Sequence, residues 1–303
     1  MKKWGWLLAV VSAVTGASTV WAAQSAARFE FPALMQPKVS EEHPGKLIWA
    51  ELVTPDLAGA QRFYGGLFGW KFEPVHAADT EYAVALLDGA PIAGLVQRAL
   101  PADGHGHPAW LPFLSVRSVR EAGRGILSHG GRTVIAAHTY ARRGRQGVYA
   151  DPDGAVFAVL HSSSGDPPDV LAAPGEWIWS ALVTPQPDAD AAFYQDVFGF
   201  EVFDMSADAP EEHLVLASQQ FARASINAPP AAAQPPPQPH WISYVRVSSV
   251  ADTVARAAAL GGRVLVASHP GRHGGPMAII ADPQGAPIGV LEWTEPAGQA
   301  GTK

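Results

Sequence analysis

The sequence predicts an α+β protein of two tandem domains, each built from two βαβββ units. Three observations carry this: the chain repeats itself, each copy reads strand–helix–three strands twice over, and the segments outside that order have linker composition. Trp49 to Trp70 reads WAELVTPDLAGAQRFYGGLFGW, and Trp179 to Phe200 reads WSALVTPQPDADAAFYQDVFGF. At an offset of 130, Trp49 falls on Trp179, Thr54-Pro55 on Thr184-Pro185, Phe63-Tyr64 on Phe193-Tyr194 and Phe68-Gly69 on Phe198-Gly199. At 131, Trp110 falls on Trp241, Gly130-Gly131-Arg132 on Gly261-Gly262-Arg263 and Ala150-Asp151-Pro152 on Ala281-Asp282-Pro283. One inserted residue over such a length marks a duplication, and the period is far too long for a solenoid turn.

The elements follow in order. Leu47 to Val53 alternates and is rich in branched residues, the pattern of a strand. Thr54-Pro55-Asp56 starts a helix, with Thr54 as the expected N-cap and Pro55 at the first helical position. Ala60, Phe63, Tyr64 and Leu67 recur at helical spacing, and Gly69 ends the run. Strands are expected at Lys71 to Val75, Tyr82 to Leu87 and Ile92 to Gln97. The second unit has a strand at Trp110 to Val116 and a helix at Ser118 to Ser128 stopped by Gly130-Gly131. Its further strands are expected near Thr133 to Ala137, Gly147 to Ala150 and Ala155 to His161. Asp151-Pro152-Asp153-Gly154 is a turn between the last two. This places one domain at 46–162 and the other at 176–294, joined by a linker at 163–175, with a tail at 295–303. Residues 228–239, APPAAAQPPPQP, form a proline-rich insert in the second domain. They read as a stiff connector in the slot of Ala99 to Pro108, or as a docking ligand for an aromatic groove.

Residues 1–22 carry Lys2 and Lys3, an apolar run and then small residues. This is the layout of a secretory signal peptide cleaved after Ala22, with an uncleaved anchor as the alternative. Residues 23–45 lack a pattern and read as a linker. The expected location is therefore periplasmic or secreted, with no stable membrane span after cleavage. The charge is −7, from 28 acidic and 21 basic residues, and basic runs are short, which argues against nucleic acid as a partner. Cysteine is absent, which excludes disulfides, thiolate metal sites and a cysteine nucleophile. Lys71 is the only lysine between Lys46 and Lys303, so a Schiff-base lysine is not expected, and no phosphate loop or serine nucleophile elbow occurs.

The order strand–TPD–helix with FYxxLFGW, then the strand tryptophan, GG and DPxGA, present twice, resembles the vicinal oxygen chelate superfamily. That group includes glyoxalase I, extradiol dioxygenases and bleomycin-resistance proteins, and the resemblance is to its glyoxalase-like branch. It covers about residues 46–162 and 176–294. It implies that each domain curves into an incompletely closed eight-stranded barrel, or cup, holding a metal or an apolar ligand.

Metal-using members place His or Glu ligands on cup-facing strands, around a divalent ion with open positions. The resemblance puts those positions at Trp49 and Trp179, at Leu111 and Ile242, and at Ala158 and Gly289. None of these side chains has a metal-binding donor. No cofactor is therefore expected, and a divalent metal is expected only if the family site is reorganised.

Alternation puts Glu51 on the same face as Trp49, whereas its counterpart is Ala181. A carboxylate near Trp49, Leu111 and Phe113 can act as general acid or base, or simply pair with an arginine at the rim. Glu51 is the candidate catalytic residue. Trp49, Leu111, Phe113, Trp179, Ile242 and Tyr244 are the candidate ligand-binding residues, while Trp110 and Trp241 read as core. His161 and Glu292 fall at strand ends, facing away from the ligand side. His105 with His107, and His269 with His273, read as loop histidines. Thr139 to Arg143 is a basic loop that either closes over a cup, with an anionic ligand as one reading, or stands as a solvated turn. The expected protein is an exported, metal-free binder of a small organic ligand, as a monomer or homodimer. The alternatives are a lyase, isomerase or dioxygenase using Glu51, and a protein in which the second domain only braces the first.

Overall fold

The computed structural model describes residues 30–75, 80–100, 107–208, 213–229, 237–271 and 275–293. The signal-peptide reading, the middle of the proline-rich insert, His105, His273 and the tail lie outside them. The first domain contains β1 (Leu47–Thr54), α1 (Leu57–Phe68), β2 (Lys71–Val75), β3 (Tyr82–Leu87), β4 (Ala90–Gln97), β5 (Ala109–Ser115), α2 (Val119–Ser128), β6 (Arg132–Tyr140), β7 (Gly144–Ala150) and β8 (Val156–Ser162). The second repeats the order with β9 (Trp177–Val183), α3 (Pro187–Phe198), β10 (Glu201–Asp204), β11 (His213–Ser218), β12 (Phe221–Asn227), β13 (His240–Arg246), α4 (Val250–Ala259), β14 (Arg263–Pro270), β15 (Pro276–Ala281) and β16 (Pro287–Leu291). Each domain is one eight-stranded mixed sheet, ordered β2-β3-β4-β1-β5-β8-β7-β6 and β10-β11-β12-β9-β13-β16-β15-β14. The outer strands do not pair with each other, so neither sheet closes into a barrel. Among the described residues, no helix is long and apolar enough to cross a membrane.

The helix boundaries follow from local chemistry. Asp56, not Thr54, caps α1: its carboxylate accepts the Gly59 amide at 2.8 Å, while the Thr54 hydroxyl accepts the Asp56 amide at 3.3 Å. Both residues serve the same turn, and the one a full turn before Gly59 becomes the cap. Gly69 closes the helix in the left-handed region with φ 77°. The buried face is Leu57, Ala60, Phe63, Tyr64 and Leu67, each large side chain contributing about 1.5–3 kcal/mol.

What this face packs against ties the two domains together. Val245, Val247, Val250, Ile280, Ile288 and Val290 of the second domain share a core with α1 and with Leu52 of β1. Reciprocally, Leu182, Phe193, Tyr194, Leu216 and Ile226 of the second domain share a core with Val119, Ile126, Phe157 and Val159 of the first. Each core thus joins the first unit of one domain to the second unit of the other.

The repeated FY phrase forms the polar centre of each core. Tyr64 Oη donates to Asp282 Oδ2 at 3.1 Å and accepts from Trp110 Nε1 at 2.9 Å. Tyr194 Oη donates to Asp151 Oδ2 at 3.0 Å and accepts from Trp241 Nε1 at 3.1 Å. The other oxygen of Asp151 accepts the Gly154 and Ala155 amides, both at 2.8 Å, within the DPDGA turn. Every polar atom of this buried set finds a partner, as a dry interface demands.

These carboxylates make stability pH-dependent. Burial, then the negative charge of Asp190, pushes the Asp151 carboxyl up to about 7, and burial pushes Asp190 up to about 6. The folded state therefore holds protons that the unfolded chain has released. This contribution is full below about pH 4 and is lost as pH rises through 6 and 7, at most about 1.4 kcal/mol per pH unit for each group. The thermal midpoint is expected to fall between pH 5 and 7.5, and Asp151→Asn, which cannot titrate, to flatten that fall. Equal slopes for the two proteins in a pH series of melting curves would refute the assignment.

Candidate functional site

The opposite face of each sheet carries a second cluster of side chains, the position of the expected cup. In the first domain it is lined by Trp49, Tyr82, Val84, Val96, Phe113, Val148, Ala158 and Leu160. The registers Trp49↔Phe113 and Phe113↔Ala158 bring two of the three positions expected to hold a metal into one cluster, and Glu51↔Leu111 places the third beside the carboxylate. They present an indole, a methyl and an isobutyl group. A divalent ion needs three or four oxygen or nitrogen donors there, and among the described residues no group of three His, Asp or Glu side chains is placed to hold one. The residues present do not fit the metal that the resemblance implies.

One end of this cup is closed. Residues 30–44 run across it, burying Phe31 and Leu34. Phe31 sits edge-on to Tyr82, with ring centroids 5.1 Å apart, and to Tyr140 at 4.7 Å. Met35 N and Val39 N bond Ser164 Oγ and O at 3.0 and 2.9 Å, and His43 N bonds Asp166 Oδ2 at 2.7 Å. A segment without periodicity in the sequence is thus a cover, its signal being the apolar Phe31, Leu34 and Met35. At the other end Glu51, Val53, Leu111 and Val156 are only part-buried.

The polar groups of the cup come from three elements. Glu51 accepts a hydrogen bond from Tyr82 Oη at 3.0 Å, across the two strands that flank Gly94. A Cβ at Gly94 would overlap Tyr82 Oη and crowd Glu51 Oε2 at 3.2 Å, so glycine makes room for the pair. Burial pushes the Glu51 carboxyl up, against the Tyr82 hydrogen bond and the positive charges of Arg143 and Arg98. Arg143 enters from the β6–β7 turn. Of the basic pair there, Arg142 is exposed, but Arg143 is only 1% exposed, its guanidinium 3.9 Å from the Trp49 ring centroid. The solvated-turn reading therefore holds for Arg142 and fails for Arg143, because the apolar cover and the indole face give its stem and guanidinium a buried seat.

The second cup is built differently. Trp179, Ala181, Ile242, Tyr244 and Leu291 line it, with Met277, Ile279 and Trp293 beside them. At the positions of Glu51, Gly94, Tyr82 and Val96 stand Ala181, Ser225, His213 and Asn227. Trp179 Nε1 donates to Ser225 Oγ at 3.0 Å, Asn227 Nδ2 donates to the same oxygen at 3.3 Å, and His213 Nδ1 meets Asn227 Oδ1. The Tyr244 ring lies over Gly289, the third expected ligand position, and fills its space. Trp179 also borders a cavity of about 520 Å³ between the domains, along with Leu34, Met35, Trp177, Arg223 and Trp293. Arg223 there makes a two-pronged ion pair with Asp169, at 2.5 and 2.9 Å.

The other candidates sit apart from the cups' polar groups. His161 Nδ1 approaches Val116 O at 3.2 Å. Glu292 Oε1 accepts the Val250 amide at 2.5 Å, satisfying the start of α4. His107 is exposed, and His269 lies on strand β14 rather than in a loop. Tyr82, His213, Ser225 and Asn227 are not singled out by sequence reasoning, and Arg143 enters it only as part of a basic loop. Lining up the repeats would have flagged Tyr82 against His213 and Gly94 against Ser225, since those are the places where the two copies differ in polarity.

The profile of one family, the glyoxalase-like domain, matches residues 49–160 and again 179–291. A Mycobacterium tuberculosis protein named "Putative glyoxylase CFP32" is 30% identical over 258 residues, covering 84% of this chain and 98% of that one. Among solved structures, the Mn(II)-bound glyoxalase from Novosphingobium aromaticivorans superposes with a TM-score of 0.60 at 17% identity, covering 84% of each chain. The 2,3-dioxygenase LapB from Pseudomonas sp. KL28 gives 0.58 at 14% identity, covering 87% of this chain and 97% of that one. At these identities the two structures speak to the fold.

Proposed function

Since the chain belongs to the glyoxalase-like domain family, one copy in each half, we propose that it binds a small organic ligand in the cup of its first domain without the family's usual metal centre. The observation that carries this is the exchange of chemistry on one strand face. Trp49, Leu111 and Ala158 have no metal donor, while Glu51, Tyr82 and Arg143 supply polar groups in an otherwise apolar cluster that is only part-buried at Glu51 and Leu111. Concave apolar sites with a few convergent polar groups are the usual form of small-molecule sites.

Metal analysis of the purified protein tests it. No divalent metal is expected at a stoichiometric level. Iron, manganese, zinc or nickel at one per chain, lost in Glu51→Gln, would sink the reading.

A second reading is supported by the Glu51 carboxyl, which burial pushes up from its ordinary value and to which Tyr82 donates a hydrogen bond. In it the protein is a lyase or dioxygenase of the family's type, with Glu51 as general acid or base. Turnover of a methylglyoxal hemithioacetal or a catechol, abolished in Glu51→Gln, would establish it over simple binding. The N-terminal 22 residues support an exported, periplasmic or secreted protein, and no nucleic-acid partner is proposed.

A further inference from the structure

The cavity of about 520 Å³ between the domains is the size of a small-molecule site, far larger than the water-sized voids of a packed core. It is enclosed by stretches from both halves: the cover at Leu34 and Met35, the start of β1, the linker from Pro167 to Ala172 and the start of β9. Neither Glu51 nor Arg143 lines it, so it is separate from the cup of the first domain.

Its walls are rich in aromatic carbon. Trp177, Trp179 and Trp293 share the lining with Leu34, Met35 and Ile92. The duplication does not account for these indoles: at the offsets of the repeat, Trp177 falls on Leu47 and Trp293 on Ser162. Trp177 is held from behind by the core, its ring centroid 5.1 Å from that of Trp110 and 5.7 Å from that of Trp70. Two of the indole N–H groups are already engaged. Trp177 Nε1 donates to Ile92 O at 2.9 Å, and Trp179 Nε1 to Ser225 Oγ at 3.0 Å. These two rings therefore offer a guest carbon surface.

The charged residues of the lining cancel, Lys46 and Arg223 standing against Asp169 and Glu176. Beyond its two-pronged pair with Asp169, Arg223 donates from Nε to Ser218 Oγ at 3.0 Å. Lys46 Nζ lies 2.8 Å from Pro167 O, 2.6 Å from Pro168 O and 3.1 Å from Asp169 Oδ1. Glu176 Oε2 accepts the Ala173 amide at 2.6 Å. A charged guest must pull such a pair apart, and separating a largely buried ion pair is costly. The lining reaches solvent at Val170 and Phe221, both apolar and exposed.

We infer that this interdomain cavity is a binding site for an uncharged aromatic molecule of two or three fused rings. It is a second site and does not depend on ligand binding in the first cup. Flat rings meet indoles edge-to-face or offset, with a gain beyond the area they bury. Water in the cavity meets polar groups that are already engaged with one another, so replacing it with hydrocarbon favours binding.

The test uses the full chain in equilibrium dialysis at neutral pH, with naphthalene and its charged counterpart 2-naphthoate as probes. Naphthalene is expected to bind saturably and at least about tenfold more tightly than 2-naphthoate, whose carboxylate must compete with Asp169 for Arg223 and Lys46. Trp293→Leu is expected to weaken naphthalene about two- to tenfold, the worth of one aromatic contact. A crystal of the complex with 2-bromonaphthalene locates the site, the anomalous bromine peak being expected beside Trp177 and Trp179. No saturable binding up to the solubility limit of naphthalene, or an unchanged affinity in Trp293→Leu, would overturn the site. A bromine peak beside Trp49 would overturn it too, while supporting the cup of the first domain. Equal or tighter binding of 2-naphthoate would overturn the ligand class. Should Trp293→Leu fail to show the native circular dichroism spectrum, the bromine position and the probe ratio in the native protein decide.

Discussion

Cut after residue 165, the first domain is expected not to fold as a monomer. The buried face of α1 has Val245, Val247, Val250, Ala257, Ile280, Ile288 and Val290 as its neighbours, all from the second domain. Removing them exposes Phe63, Tyr64, Leu67 and Trp110 together. At about 1.5–3 kcal/mol for each large side chain, the loss is on the scale of the roughly 5–15 kcal/mol that a domain has in total. Polar ties go as well. Tyr64 loses Asp282, Trp70 Nε1 loses Gly175 O at 2.9 Å, and Trp177 leaves the edge of Trp110, 5.1 Å between centroids. The cover is also shared, since Ser218 Oγ of the second domain donates to Pro44 O at 2.5 Å. Separate fragments 1–165 and 166–303 should show no cooperative urea transition alone and regain one when mixed. The near-symmetry of the two cores leaves one escape, a fragment that pairs with a second copy of itself, which would run as a dimer on gel filtration. A monomeric first-domain fragment with a cooperative transition would show that the second domain only braces the first, and would refute the shared-core account.

The repeat made most of this architecture legible, because duplication tests each element twice. Phe63, Tyr64 and Leu67 read correctly as a helix face, and Gly69 as its end, since both signals are local. The partners of that face were not legible. Nothing in DPDGA marks Asp151 as more than a turn residue, yet its second oxygen serves Tyr194 across the domain boundary, and such pairing depends on docking rather than on periodicity. The site divides the same way. Strand alternation put Trp49 and Glu51 on one face. Tyr82 lies two strands away from Glu51, and Arg143 comes from a turn nearly a hundred residues on, so neither contact leaves a trace in local pattern. The basic residues at 142 and 143 look alike in sequence, and only the cover over the cup distinguishes them.

Gly289→Ala is expected to destabilise the second domain by about 3 kcal/mol, a large effect for one methyl group. Gly289 and Tyr244 are paired residues on the parallel strands β16 and β13. A Cβ at 289 would fall inside the van der Waals envelope of Tyr244 Cγ, Cδ1 and Cε1. Because the clash reaches Cγ, close to the backbone, rotating the end of the ring does not relieve it. The whole side chain must leave its seat against Trp179, Ile242 and Leu291, all of them buried. Overpacking of this kind costs about 1–3 kcal/mol or more. Tyr244→Ala alone removes the ring and should cost a similar amount, on the order of 3 kcal/mol. Combined, the two changes should cost less than their sum by about 1–3 kcal/mol, because the second methyl meets no ring. Strict additivity in urea titrations of the four proteins would show that the ring does not depend on the glycine. The same contact explains why the third expected metal position is empty of donors here: a glutamate at 289 and a tyrosine at 244 compete for one space, and in this cup the ring holds it.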